Sequence, residues 1–152
     1  MKRIIPIVLI SLAFTFAQET DTLYILQTTD VHGHIYPYDY FSDQPADYGL
    51  AKIYTKVVEL RKKHDNVLLL DGGDMIQGTP MTYYFNKIET SVPNPMILTM
   101  NYMQYDAMAV GNHDIEQGLF VYNRAESESN FPWLSANSTL PDLSTYFEPY
   151  VI

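Results

Sequence analysis

Val67-Leu68-Leu69-Leu70 is a run of four apolar residues halted by Asp71-Gly72-Gly73-Asp74. It is too brief to form a helix of its own. An apolar run cut off by turn residues is how a buried parallel strand reads where it reaches its end. In open α/β sheets ligands bind beyond the carboxyl ends of the strands, so Asp74 lies where a site is expected. Gly72 and Gly73 let backbone approach an ion or anion closely. Asp-Gly-Gly-Asp is also ordinary turn chemistry, so the neighbouring strands must decide between the two.

Those neighbours repeat the pattern. Leu23 to Thr29 is rich in β-forming residues and stops at Asp30, giving a first strand. Val31 to Ala46 contains Gly33, Pro37 and Pro45 and is expected to be a long loop, a form usually functional or mobile. Asp47 is placed to cap a helix that buries Leu50, Ile53, Tyr54, Val57 and Val58 on one face, with Lys62, Lys63 and His64 complementing its C-terminal dipole. Thr79-Pro80 and Asn94-Pro95 open two more helices, to about Lys87 and about Gln104. Ala107 to Val110 is a short strand ending at Gly111-Asn112-His113-Asp114, Gln117 to about Glu128 a looser helix, and Trp133 to Ala136 a fourth strand ending at Asn137. This alternation predicts an α/β fold, a layered and mainly parallel sheet flanked by helices. Asp30, Asp74, Asn112 and Asn137 then share one sheet edge.

Lys2, Arg3, the apolar run Ile4 to Phe16 and the small residues ending at Ala17 read as a signal peptide over residues 1–17, with the domain following from residue 18. The protein is therefore expected to be exported, periplasmic or extracellular, with no stable membrane insertion after cleavage. A retained anchor is the competing reading of the same run. A formal net charge of -9 argues against binding a nucleic-acid polymer. The chain has no cysteine, which excludes thiolate ligands and a Cys nucleophile. Any metal must be held by His, Asp, Glu or Asn, which suit zinc, manganese or iron alike.

Asp30 and His32 are two apart in an exit segment, so an extended backbone brings them to one side. With Asp74 and Gly111 to Asp114 they give Asp-x-His, then Gly-Asp, then Gly-Asn-His-Asp, each after a predicted strand. This order resembles the calcineurin-like metallophosphoesterases, and the flanking residues look most like the secreted 5'-nucleotidase and 2',3'-cyclic-nucleotide phosphodiesterase branch. The resemblance runs from about Leu23 to Asn137. It implies two divalent metal ions, with Asp30 and His32 binding the first, Asp74 bridging both and Asn112 binding the second. It implies that His113 is catalytic and is not a ligand. The acid three residues further on, which pairs with that His and is usually Asp in the branch, is here Glu116; Asp114 is the alternative partner, or a helix-entry acid.

The chemistry suits such a set. Two cations roughly 3.5 to 4 Å apart clamp phosphoryl oxygens and supply hydroxide near neutral pH, and a bridging carboxylate offsets the repulsion between like charges. The implied substrates are nucleotides or cyclic nucleotides. The alternative is a secreted, non-catalytic metal- or ligand-binding α/β module. The family completes its metal cage with later histidines, whereas this sequence has His32, His34, His64 and His113 and none beyond. The chain is therefore expected to be the N-terminal portion of a longer enzyme and inactive by itself. His34 is expected to be an ordinary loop His and His64 a helix-end cation. The Tyr36, Tyr38, Tyr40 series and the seven methionines read as packing. Asn137-Ser138-Thr139 fits a glycosylation pattern, although a strand-end Asn is the better reading.

Overall fold

A computed structural model describes residues 21–152, so the leader expected over residues 1–17 lies outside the described residues. The elements in chain order are β1 (Tyr24–Thr28), β2 (Tyr38–Asp39), β3 (Gln44–Pro45), α1 (Leu50–Arg61), β4 (Val67–Asp71), α2 (Pro80–Lys87), α3 (Pro95–Met103), β5 (Ala107–Ala109), α4 (Asn112–Ile115), α5 (Leu119–Glu128) and β6 (Trp133–Leu134). β1, β4, β5 and β6 form one parallel sheet in that order. The expected α/β architecture and parallel sheet are present.

Strand order follows chain order, and right-handed crossovers then carry every connecting helix to the same side. Thr28 pairs with Asp71, Asp71 with Met108 and Met108 with Trp133, so these four stand in one row on one face. Leu69, Met108 and Trp133 on that face pack with Leu50 and Val57 of α1, Met96 to Met103 of α3 and Val121, Tyr122 and Ala125 of α5. The opposite face has no helical layer among the described residues. Ile25 is 61% exposed there, Ala109 is exposed, and Leu68, Leu70 and Leu134 are half-buried. The strand expected to be buried at Val67 to Leu70 is thus covered on one side only.

Helix ends follow local chemistry where the cap lies close in sequence. Thr79 accepts from Thr82 N at 3.2 Å while Thr79 N donates to Thr82 Oγ1 at 3.0 Å, a reciprocal cap for α2. Asn94 accepts from Met96 N at 2.9 Å at the start of α3. α1 departs from expectation. It begins after Gly49 with no side-chain cap, and Asp47 instead pairs with Lys52. The free N–H groups of Leu50 and Ala51 donate to the carbonyls of His34 (3.0 Å) and Ile35 (2.9 Å), so the long loop itself caps the helix. Within that loop β2 and β3 form a two-residue antiparallel pair, its tip held by Asp39 accepting from Phe41 N at 2.9 Å and Ser42 Oγ at 2.6 Å. α4 is a separate short helix, and α5 starts at Leu119, two residues later than expected.

Candidate metal centre

The loops leaving β1 and β4 are laced together beyond the strand ends. Gly72 N donates to Thr28 O (2.8 Å), Asp30 N to Gly73 O, His32 N to Asp74 O and Gly33 N to Met75 O, the last three each at 3.0 Å. This ladder cannot be made from extended backbone alone. Asp30, His32 and Asp74 all take left-handed conformations, with φ of 53°, 49° and 62°. Such backbone costs roughly 1 kcal/mol or more per residue and persists only where surrounding bonds over-determine it.

The result brings three side chains to one place. Asp30, His32 and Asp74 each offer one ligand atom, and these atoms lie within 4.8 Å of one another. His32 Nε2 is 3.9 Å from Asp30 Oδ1. His32 Nδ1 lies 3.1 Å from the Gln77 carbonyl, which can only accept, so Nδ1 donates there and Nε2 is the ring atom facing the cluster. Two carboxylates and an imidazole suit a divalent cation, and the residues present fit one.

The third loop closes against the second. Gly73 has φ 101°, and a Cβ on it would meet Gly111 N at 2.6 Å, so the two loops touch backbone to backbone. Asp74 Oδ1 accepts from His113 N at 2.8 Å. Asn112, the first residue of α4, is exposed beside this junction. His113 Nδ1 lies 2.8 Å from Glu116 Oε2, one turn along α4. That carboxylate, aided by its charge and those of Asp74 and Asp114, raises the His113 pKa against a lowering from desolvation. The His113 and His32 rings stand 5.4 Å apart, edge to face. Glu116 therefore reaches His113 despite its extra methylene, and Asp114 does not serve as the partner. Asn137 is exposed and accepts from Ser135 Oγ at 3.1 Å.

The burial of two acids, Asp71 and Asp114, escapes a sequence reading. Asp114 accepts from Asp74 N (2.9 Å), Met75 N (2.9 Å), Ile76 N (3.1 Å) and Gly111 N (3.1 Å), and burial raises its pKa. Asp71 accepts from Thr28 Oγ1 at 2.5 Å and from Gly73 N at 2.7 Å, and the Thr28 oxygen is left to accept from Tyr105 OH at 2.8 Å. Burial pushes Asp71 up to about 6 and Tyr105 to about 12. Position at a strand end is the only local signal for Asp71, and the packing that turns Asp114 inward leaves none.

The remaining histidines stay outside the cluster. His34 lies edge-on to Tyr48 at 4.4 Å, with its Nδ1 buried and without a partner, and burial lowers its pKa. It lines a cavity of about 470 Å³ that also touches Asp30 and Lys52. His64 stacks on Tyr24 at 3.9 Å.

The chain is 38% identical over 150 residues to a snake venom 5'-nucleotidase of Crotalus adamanteus, covering 92% of this chain and 24% of that protein. It is 32% identical over 151 residues to a 2',3'-cyclic-nucleotide 2'-phosphodiesterase/3'-nucleotidase of Yersinia enterocolitica, covering 95% and 23%. The crystal structure of the calcineurin-like phosphoesterase YfkN from Bacillus subtilis superposes with a TM-score of 0.79 at 37% identity, over 86% of this chain and 41% of that one. The chain thus spans about a quarter of the length of these two curated relatives. The family model described as calcineurin-like phosphoesterase matches residues 23–149, which takes in all three strand-end loops, and the chain belongs to that family.

Proposed function

We propose that the protein hydrolyses phosphate esters of nucleotides, as a 5'-nucleotidase or a 2',3'-cyclic phosphodiesterase/3'-nucleotidase, at a centre holding two divalent ions. The observation that carries this is the meeting of Asp30, His32 and Asp74 ligand atoms within 4.8 Å on the carboxyl edge of the sheet. Asp30 and His32 would hold the first ion, Asp74 would bridge and Asn112 would bind the second. When bound, such ions polarise the phosphoryl group and lower the pKa of water. The chain's own contribution beyond the ions is His113. Its Nδ1 donates to Glu116, which leaves Nε2 as the atom that meets a phosphoryl oxygen or protonates the departing alkoxide. Glu116 holds the ring in that orientation and favours its charged form.

Four oxygen and imidazole donors are few for two ions, so we further propose that the remaining ligands and the nucleoside-gripping surface come from residues outside 1–152. Residues 1–17 would act as an export signal, placing the mature enzyme in the periplasm or outside the cell. The test uses the protein from its full reading frame. Asp74→Asn is expected to lower both metal content and phosphatase rate severely. His113→Asn should lower the rate by about 100-fold or more while two metals stay bound. Equal metal loss in both variants refutes the separate roles. Residues 18–152 alone should show little turnover with added manganese or zinc, and robust activity there would overturn the incomplete cage.

A further inference from the structure

Asp74 is held in an unfavourable backbone conformation, φ 62°, with no glycine to relieve it. Its own side chain is engaged with His113 N, so something else must fix its main chain. The Asp114 carboxylate does this with both oxygens: Oδ1 takes the Met75 and Ile76 N–H groups, and Oδ2 takes those of Asp74 and Gly111. Asp114 is fully buried, so no water competes for these four donors. The two loops are therefore cross-tied. Asp74 caps the backbone that follows Asn112, and two residues past Asn112 Asp114 caps the backbone that carries Asp74.

We propose that Asp114 is a positioning residue of the metal centre, setting the backbone of Asp74 and its distance from Asn112 before any ion arrives. This rests on the metal reading given above. A buried carboxylate costs desolvation unless each lone pair is used, and four backbone donors meet that requirement. A residue serving only as a helix-entry acid would need one of these bonds, that from Gly111 N; the other three reach across to the β4 loop. The side-chain length is also decisive. Asn has one acceptor oxygen and turns an NH2 toward donors, while Glu keeps the charge and moves it by one methylene.

The test uses the full-length protein and Mn²⁺ as the probe. In metal-free wild type, hydrogen exchange should find the amides of Asp74, Met75, Ile76 and Gly111 already protected. Free exchange that is suppressed only on adding Mn²⁺ would overturn the proposal, because the ion would then be ordering the loop. Asp114→Asn and Asp114→Glu should each weaken Mn²⁺ binding by about 10- to 100-fold and speed exchange at those amides, with the α1, α3 and α5 amides unchanged. Wild-type affinity in the Glu variant would show that charge alone matters and would refute positioning. Asp74→Asn distinguishes loss of the metal site from loss of its positioning. If it leaves Mn²⁺ binding intact, the metal reading fails. If it abolishes binding while both Asp114 variants bind as wild type, only the positioning role fails. Should neither Asp114 variant fold, the wild-type exchange measurement decides by itself.

Discussion

Asp71 ends β4, and its carboxylate accepts from Gly73 N in the loop that carries Asp74. Its folded pKa of about 6 lies above its ordinary 3.8, because burial outweighs the donors from Thr28 and Gly73. A raised carboxyl makes the fold bind more protons than the unfolded chain between those values. Its contribution is complete below about 4 and is lost as pH rises through about 6, roughly 3 kcal/mol in all. Asp71→Asn removes that dependence. Urea unfolding of the metal-free protein from pH 4 to 7.5 should therefore show the variant gaining on wild type as pH rises; parallel curves would refute the shift. Asp30, His32 and Asp74 were legible in the sequence because they follow predicted strands in the order Asp-x-His, then Gly-Asp. Asp114 was legible only as a member of a motif. Which way a carboxylate turns depends on donors 38 to 40 positions away in the chain, and no local pattern reports those.

The helices with local caps were legible together with their caps, whereas α1 was legible as a helix and its cap was not. Thr79 and Asn94 announce α2 and α3 because the acceptor and its N–H donor lie two or three residues apart. Asp47 has the same outward signature, yet α1 takes its caps from the His34 and Ile35 carbonyls across the loop. Thr79→Ala should cost about 1 kcal/mol of unfolding free energy, whereas Asp47→Ala should leave it unchanged within error. A matching loss in both would restore Asp47 as a cap. The β2 and β3 pair escaped the sequence because strands of two residues carry no alternation to detect. α4 escaped because its four residues are shaped by the Asp74 and Asp114 bonds and not by propensity.

At the scale of the whole molecule the parallel order of the sheet was legible from alternation, while the one-sided cover of the sheet among the described residues was not. Four adjacent apolar residues at Val67 to Leu70 look the same whether one face or two are packed. The face left uncovered by the described residues holds Ile25, Leu68, Leu70, Ala109 and Leu134, and parallel sheets are ordinarily covered on both sides. Residues 18–152 alone should accordingly bind an apolar fluorescent dye and self-associate as concentration rises. Ile25→Lys should weaken both effects without altering helical circular dichroism. A monomeric, dye-silent chain would show that this face is not adhesive.

The order β1, β4, β5, β6 has a further consequence, for synthesis on the ribosome. Each strand leaves the ribosome after the neighbour it must pair with, so the sheet can grow by addition at one edge without waiting for later chain. The loops of the centre are laid down in the same sequence: Asp30 first, then Asp74 laced to it, then the turn bearing Asn112 and Asp114. The backbone that presents Asp74 is thereby locked only when the third loop arrives, and a ribosome stalled between β4 and β5 would hold a nascent chain with two of its three site loops and no latch.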